Sequence, residues 1–137
     1  MTLFVDTSMW YAAADRGDRS HARAKAVLGC GEPLLLTDHV LLETWLLLRH
    51  RLGREAAERF WWGIRAGAAR LEPVTAADLE RAWWIGEAWP DQDFSLADRT
   101  SFAVMERLGL ERVASLDDDF AVYRYGRRRE RAFTVIR

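Results

Sequence analysis

The chain begins Thr2-Leu3-Phe4-Val5-Asp6-Thr7-Ser8, an apolar run that ends on an acid and is followed by two hydroxyl residues. The three apolar residues suit a buried β-strand, and the two hydroxyl residues suit the start of a helix. This pattern places Asp6 at the carboxyl end of a strand, where open α/β sheets bind their ligands. A carboxylate at such a point needs a proton, hydrogen-bond donors or a cation.

The rest of the chain alternates strand and helix patterns and has no hairpin turns. Further strands are predicted at 33–37, 71–74, 112–116 and 133–136, and helices at 8–14, 21–28, 40–52, 54–69, 76–89 and 96–108. Such alternation predicts a parallel sheet covered on both faces. The expected fold class is α/β, a three-layer α/β/α arrangement with a central parallel sheet of about five strands. No linker divides residues 1–137, so we expect a single domain.

Composition limits the class of protein. Half of the residues are hydrophobic and 30% are charged, as in a globular chain, and the single cysteine excludes an internal disulfide and a cysteine-built zinc site. No signal segment is visible, and no apolar run approaches the roughly 20 residues that span a bilayer. We therefore expect a cytoplasmic protein with no membrane contact. The net charge of -1 gives no overall attraction to nucleic acid.

Four acidic residues stand out by position, and each also has a structural explanation. Asp6 alone fits a helix cap, and Asp98 completes a Ser-x-x-Asp capping box. Glu43 lies in the helix 40–52, which is apolar on almost every side and is expected to be largely buried, so its charge needs a metal or a salt-bridge partner. Asp117 follows the fourth predicted strand, and the run of three acids that it begins fits a solvated turn.

Taken together, the four acids favour a metal site. The carboxyl ends of parallel strands face one edge of the sheet, and a helix that follows a strand begins at that edge. Several ionised carboxylates at one edge repel one another unless a cation is present. Oxygen ligands without clustered His or Cys favour Mg²⁺ or Mn²⁺, which promote attack of water on a phosphodiester. No glycine-rich phosphate loop, dinucleotide fingerprint or histidine ligand spacing offers a rival chemistry.

Four motifs, in order along nearly the whole chain, resemble the acidic motifs of PIN-domain ribonucleases. They are Val5-Asp6-Thr7-Ser8, Leu42-Glu43, Ser95-Leu96-Ala97-Asp98 and Ser115-Leu116-Asp117-Asp118-Asp119-Phe120. In length and order the chain more narrowly resembles the VapC toxins of bacterial type II toxin–antitoxin pairs. Each motif alone is weak evidence, whereas the ordered set of four is specific.

The resemblance implies a PIN-like nuclease domain with Mg²⁺- or Mn²⁺-dependent endoribonuclease activity. Asp6, Glu43, Asp98 and Asp117 would form its acidic pocket, with Asp6 and Asp98 as direct metal ligands and Asp117 bound directly or through water. Glu43 would position the attacking water. Thr7 or Ser8 would orient Asp6 or bind the substrate phosphate, while the helix-capping role would fall to one of these two hydroxyl residues. Asp119 remains a candidate auxiliary acid.

The same resemblance implies a homodimer and a small VapB-like antitoxin as partners, beside the RNA substrate. Two middle helices carry tryptophans that suit an apolar groove or a dimer face, with ordinary core packing as the alternative: Trp61, Trp62, Trp83, Trp84 and Trp89. Arg124 and Arg127 belong to an arginine-rich stretch that suits RNA phosphates, with a solvated surface patch as the alternative. Alternative functions are a housekeeping RNA-processing or DNA-directed nuclease and a non-catalytic binding module.

Overall fold

Five short strands form one parallel sheet in the order β3-β2-β1-β4-β5. The computed structural model describes all residues, 1–137. The strands are β1 (Leu3–Val5), β2 (Leu34–Thr37), β3 (Arg70–Glu72), β4 (Arg112–Ala114) and β5 (Thr134–Ile136). All of the predicted strands are present, and the predicted α/β class with a parallel sheet flanked by helices is confirmed.

Seven α-helices connect and cover the strands. They are α1 (Thr7–Ala14), α2 (His21–Leu28), α3 (Asp38–Leu52), α4 (Arg54–Gly63), α5 (Ala76–Ala88), α6 (Leu96–Leu108) and α7 (Asp119–Val122). A five-residue π-helical turn, Ile64–Ala68, follows α4 and ends the helix that was predicted to run to residue 69. The short helix α7 lies where only a turn was predicted, and it begins within the acidic run after β4.

Local capping signals explain where most helices begin. Both predicted capping boxes are present, at Thr75 with Asp78 and at Ser95 with Asp98. The first helix differs from its prediction, because Asp6 itself is the N-cap and its carboxylate accepts a hydrogen bond from the Met9 backbone N–H at 3.3 Å. The expectation that Thr7 or Ser8 takes the capping role is therefore wrong. Asp6 combines the cap with its place at the end of β1.

The core lies around β1 and beneath α6. The three residues of β1 are fully buried, as expected for a central strand covered on both faces. On the β5 side, aromatic side chains pack together, with Phe102 and Tyr123 stacked at 4.2 Å between ring centroids. Phe120 is buried against Phe4 and Phe102. Because Asp119 directly precedes Phe120, this packing fixes the acidic loop over the sheet.

The helix that carries Glu43 is more exposed than expected. Only Val40, Thr44 and Leu48 of α3 are buried, while Leu42 is 59% exposed. The helix packs along α4 and α1 on part of its surface and leaves an apolar strip on the rest. The expectation of a largely buried α3 is therefore wrong, because apolar residues around a helix do not require burial on every side. No helix has the length and apolarity needed to cross a membrane.

Candidate active site

The strand order places the ends of β1 and β4 at the topological switch point of the sheet. From β1 the chain builds outward through β2 and β3 and then returns to the other side of β1 with β4. Val5 pairs with Ala114, and the Asp6 backbone N–H donates to the Ala114 carbonyl at 3.1 Å. The crevice outside the carboxyl ends of strands at such a point is the usual ligand site of this architecture. Asp6 lies in that crevice.

Two serines hold the Asp6 carboxylate in one orientation. The Ser8 hydroxyl donates to Oδ1 at 2.7 Å, and the Ser115 hydroxyl donates to Oδ2 at 2.6 Å. Ser8 also accepts from the Leu116 backbone N–H at 2.9 Å, and Ser115 accepts from that of Asp117 at 3.0 Å. Burial raises the pKa of Asp6 to about 7, against the opposing effect of the two serine hydrogen bonds. Asp6 is thus a fixed acid that a nearby positive charge would ionise fully.

Asp98 pairs with Asp119 rather than standing alone. The helix α6 leads into β4 and runs opposite to it, so its first turn lies at the carboxyl edge of the sheet. Burial raises the pKa of Asp98 to about 8, and the facing carboxyl of Asp119 adds to the effect, while the Ser95 hydrogen bond opposes it. Two carboxyl groups that face each other need a shared proton or a cation.

Asp117 links these acids to Glu43. Partial removal from water raises the pKa of Asp117, and the charges of Asp119 and Glu43 add to this effect. The charge of Asp117 in turn contributes to the raised pKa of Asp6. Glu43 has no ion-pair partner, so the salt bridge considered for it is absent. The structure therefore makes the four predicted acids and Asp119 neighbours of one another at the edge of the sheet, and we call this row of acids the acidic cleft.

The chemistry of this cleft fits a hard divalent cation. Its donors are carboxylate and hydroxyl oxygens, and three of its acids have pKa values raised by burial and by neighbouring acids. A bound cation would offset both the loss of water around these carboxylates and the repulsion between them. The acids form a chain of neighbours, and no three acidic, His or Cys side chains meet at one point. Coordination by three carboxylates would therefore require side-chain rotation, most simply of the more exposed Asp117.

The two predicted hydroxyl residues have different surroundings. Ser8 orients Asp6, as one of the considered roles requires. Thr7 is buried and accepts a hydrogen bond from the Thr44 hydroxyl at 3.2 Å, which ties α1 to α3 beside Glu43. Both residues line an open groove of about 740 Å³ together with Glu43 and Asp117.

The predicted basic residues lie away from this groove. The Arg124 guanidinium donates to backbone carbonyls at the end of α7, including those of Ala121 and Tyr123. Arg127 is exposed and has no ion-pair partner. Neither residue lines the groove that contains Glu43 and Asp117, so their contact with RNA stays a prediction.

Two residues of the cleft were missed or undervalued by sequence reasoning. Ser115 was named only as the first residue of the fourth motif, without a role of its own, whereas it lies opposite Asp6 in the β1–β4 register and binds its carboxylate. Asp119 was left as a candidate auxiliary acid, and it contributes to the raised pKa of both Asp98 and Asp117. The usable signal for Ser115 was its position directly after a strand, where a hydroxyl can hold an acid on the neighbouring strand.

Comparison with known proteins agrees with this geometry. The sequence profile of the family described as PIN domain matches residues 3–125. The 23S rRNA-specific endonuclease VapC20 of Mycobacterium tuberculosis is 38% identical over 120 residues, which cover 87% of this chain and 92% of that protein. Ribonuclease VapC26 of the same species is 25% identical over 116 residues, which cover 84% of this chain and 86% of that one.

Solved structures give the same result at the level of the fold. The crystal structure of M. tuberculosis VapC20, described as a sarcin–ricin loop cleaving toxin, matches with a TM-score of 0.82 and covers 87% of this chain and 92% of that chain. VapBC2 from Rickettsia felis, bound to a DNA fragment from its promoter, matches with a TM-score of 0.63 at 10% identity. The match covers 99% of this chain and 98% of that chain. That second likeness concerns the fold alone. The chain belongs to the PIN-domain family and, within it, to the VapC-type endoribonuclease toxins.

Proposed function

We propose that this toxin cleaves ribosomal RNA, with the sarcin–ricin loop of 23S rRNA as its first candidate target, through a Mg²⁺ or Mn²⁺ ion at the acidic cleft. The observation that carries the proposal is the set of converging acids with raised pKa values in a chain 38% identical to a 23S rRNA-specific endonuclease. Ribosomal RNA lies in the cytoplasm, which is the expected compartment. Residues 1–137 act together as one nuclease domain.

Asp6, Asp98 and Asp117 are the proposed metal ligands. When bound, the ion supplies positive charge that neutralises these carboxylates and polarises the phosphate. Ser8 and Ser115 keep Asp6 in one orientation, so little ordering is needed when the ion binds. Asp98 is held by its hydrogen bonds with Ser95, and Asp119 adds a further carboxylate beside it.

Glu43 is the proposed residue that orients the attacking water. It projects from α3 into the same groove as Asp117, and it lies close enough to raise the pKa of that acid. A carboxylate in this position accepts a hydrogen bond from the water and directs its oxygen toward the phosphorus.

Cleavage mapping tests the proposed substrate. Purified protein incubated with ribosomes and Mg²⁺ or Mn²⁺ should produce one dominant new end within the sarcin–ricin loop, detected by primer extension across 23S rRNA. EDTA should abolish this end, and expression of the protein should arrest growth. Ends scattered over many RNAs would contradict the substrate assignment, and cleavage that persists in EDTA would contradict the metal.

We also propose that the exposed tryptophans are covered by a second copy of the chain and by a VapB-like antitoxin. Four of the five predicted tryptophans are exposed, among them Trp62 at 66% and Trp83 at 60%. Trp89 instead packs against Phe94 and Tyr123, so core packing is right for that residue. Large exposed aromatic side chains are typical of association surfaces.

Light scattering tests this association surface. The wild-type protein should have the mass of a dimer, and replacing Trp84 with Glu should lower the mass to that of a monomer or prevent co-purification with the antitoxin. Glu80→Ala, on the same helix, is the control and should change neither result. If Trp84→Glu also changes neither, the tryptophan surface has another role.

A further inference from the structure

A second group of residues lines the groove that contains Glu43 and Asp117. The acids occupy one end, and the other end is formed by Tyr11, Arg19, His50 and Arg51. The groove is therefore polarised, with carboxylates at the proposed cleavage point and basic side chains away from it. None of the proposed cleavage chemistry uses the basic end.

The helix α3 sets the spacing between these two ends. Glu43, Leu47 and Arg51 follow one another at intervals of four residues, so they lie on one face of the helix. All three line the groove. At 1.5 Å of rise per residue, Arg51 lies about 12 Å along the helix from Glu43. Arg51 therefore begins about two turns beyond Glu43, toward the end of the groove away from the proposed cleavage point.

Arg51 is held in place and forms no ion pair, although the charge of nearby Asp15 interacts with it. Its guanidinium lies over the Tyr11 ring, 5.1 Å from the ring centroid, and the Tyr11 hydroxyl donates to Asp15 at 2.7 Å. The eight ion pairs of the structure include neither Arg51 nor Arg19. Asp18 also lines the groove, but its Oδ1 accepts the backbone N–H of Ser20 within the turn. Neither guanidinium group is occupied by an ion pair, so both keep N–H donors that can bind an anion.

We infer that this basic end of the groove, with Arg51 and Arg19 as its principal contacts, binds the backbone phosphates of the RNA strand next to the cleaved bond. The inference rests on the proposed function, because it assumes that Glu43 and Asp117 mark the cleavage point. An RNA strand that passes the acids must leave along the same groove, and guanidinium groups are well suited to phosphate oxygens.

The salt dependence of RNA binding tests the inference separately from cleavage. Binding of a labelled mixed-sequence single-stranded RNA and of a labelled sarcin–ricin stem-loop is measured against KCl concentration, with Asp98→Asn present in every protein to prevent cutting. Each lost phosphate contact should reduce the slope of log K against log salt by about 0.7 for a single strand. We expect this reduction for Arg51→Ala and about twice this reduction for the Arg19→Ala, Arg51→Ala double variant.

Matched variants show whether the position matters. Arg54→Ala removes another exposed arginine, which begins the next helix and pairs with Glu58, and it should leave the slope unchanged. Arg51→Lys keeps the charge and should retain most of the slope. The inference is overturned if Arg51→Ala has the same slope as Arg54→Ala. It is also overturned if Arg127→Ala is the only one of these variants that reduces the slope.

Cleavage kinetics distinguish this inference from the proposed function. With Asp98 intact, Arg51→Ala should raise KM for RNA and leave kcat within about 2-fold, because it removes binding that is equal in the ground and transition states. If the wild-type protein cuts no RNA, the proposed function fails, while the binding slopes still decide the role of Arg51. If the wild-type protein cleaves RNA with metal but Arg51→Ala leaves the salt-dependence slope unchanged, the proposed role of Arg51 and Arg19 is overturned and the proposed function stands.

Discussion

Asp98→Asn should lower the rate of metal-dependent RNA cleavage by at least about 100-fold, because changes in residues that merely support a metal ligand already cost 10- to 100-fold. The substitution preserves the shape of the side chain and the amide oxygen that can accept the Ser95 backbone N–H, which Asp98 does at 3.2 Å. The capping box and the start of α6 should therefore survive. Initial rates on the stem-loop RNA, with circular dichroism as the check on folding, measure the effect.

A charge-matched control separates catalysis from general electrostatics. Asp91→Asn removes one negative charge from the exposed loop before α6 and should change the rate by less than about 2-fold. The cleavage rate of Asp119→Asn should lie between those of Asp98→Asn and Asp91→Asn, with a loss of about 10- to 100-fold, because Asp119 is a neighbour of the proposed metal ligand Asp98. An Asp98→Asn protein that cuts at more than a tenth of the wild-type rate, with contaminating nuclease removed, would overturn the catalytic assignment.

Asp6→Asn should stabilise the metal-free protein at neutral pH and destabilise it relative to wild type when a divalent ion is present. Asp6 has a folded pKa of about 7 and an ordinary value of 3.8. Between these values the folded state holds a proton that the unfolded state has released, so stability falls as pH rises. The shift corresponds to on the order of 4 kcal/mol, lost progressively between about pH 4 and pH 8.

Denaturant titrations in EDTA and in Mg²⁺ across this range measure the effect. In EDTA, the free energy of unfolding of Asp6→Asn minus that of wild type should become more positive as pH rises. In Mg²⁺ the difference should reverse sign near neutral pH, because the ion keeps the wild-type carboxylate ionised and stabilises the folded state. A difference that does not vary with pH, or that Mg²⁺ leaves unchanged, would show that Asp6 is neither a buried acid nor a metal ligand.

Asp78→Asn provides a control with the opposite trend. Burial works to raise the pKa of Asp78, but hydrogen bonds from Arg107, both at 3.0 Å, and from Thr75 outweigh it, so the pKa is lowered. Its stabilising effect is present above about pH 4 and is lost as pH falls through the lowered value. Asp78→Asn should therefore become more destabilising as pH rises to about 4 and should show a constant loss of stability above that pH, independently of Mg²⁺.

Much of the fold was predictable because its signals are local. Both capping boxes were predicted from four-residue patterns, and the structure contains them. The strand β1 was predicted from three apolar residues and has the same bounds. The helix α7 was missed, because its four residues are too few to show a periodic pattern and the acids before them suggested a turn.

The details of the site depended on contacts between distant parts of the chain. Asp117 was expected at the same edge of the sheet as Asp6, but nothing in the sequence indicated that the β1–β4 register brings Ser115 against Asp6. The pairing of Asp98 with Asp119 depends on how α7 packs through Phe120, and no local pattern encodes it. The basic end of the groove was also missed, because Arg19 and Arg51 are far apart in sequence and meet only when α1 and α3 pack together.

The sequence by itself determined the class of the fold, the family and the identity of four acids at the sheet edge. It could do so because strand composition, capping patterns and the order of the acidic motifs are properties of short segments. Only the tertiary structure decided that Asp6 both caps a helix and is held by two serines, that Asp98 faces Asp119, and that the acidic cleft opens into a basic groove. These features depend on strand register and on the packing of α7 and α3, which are set by contacts between residues distant in sequence.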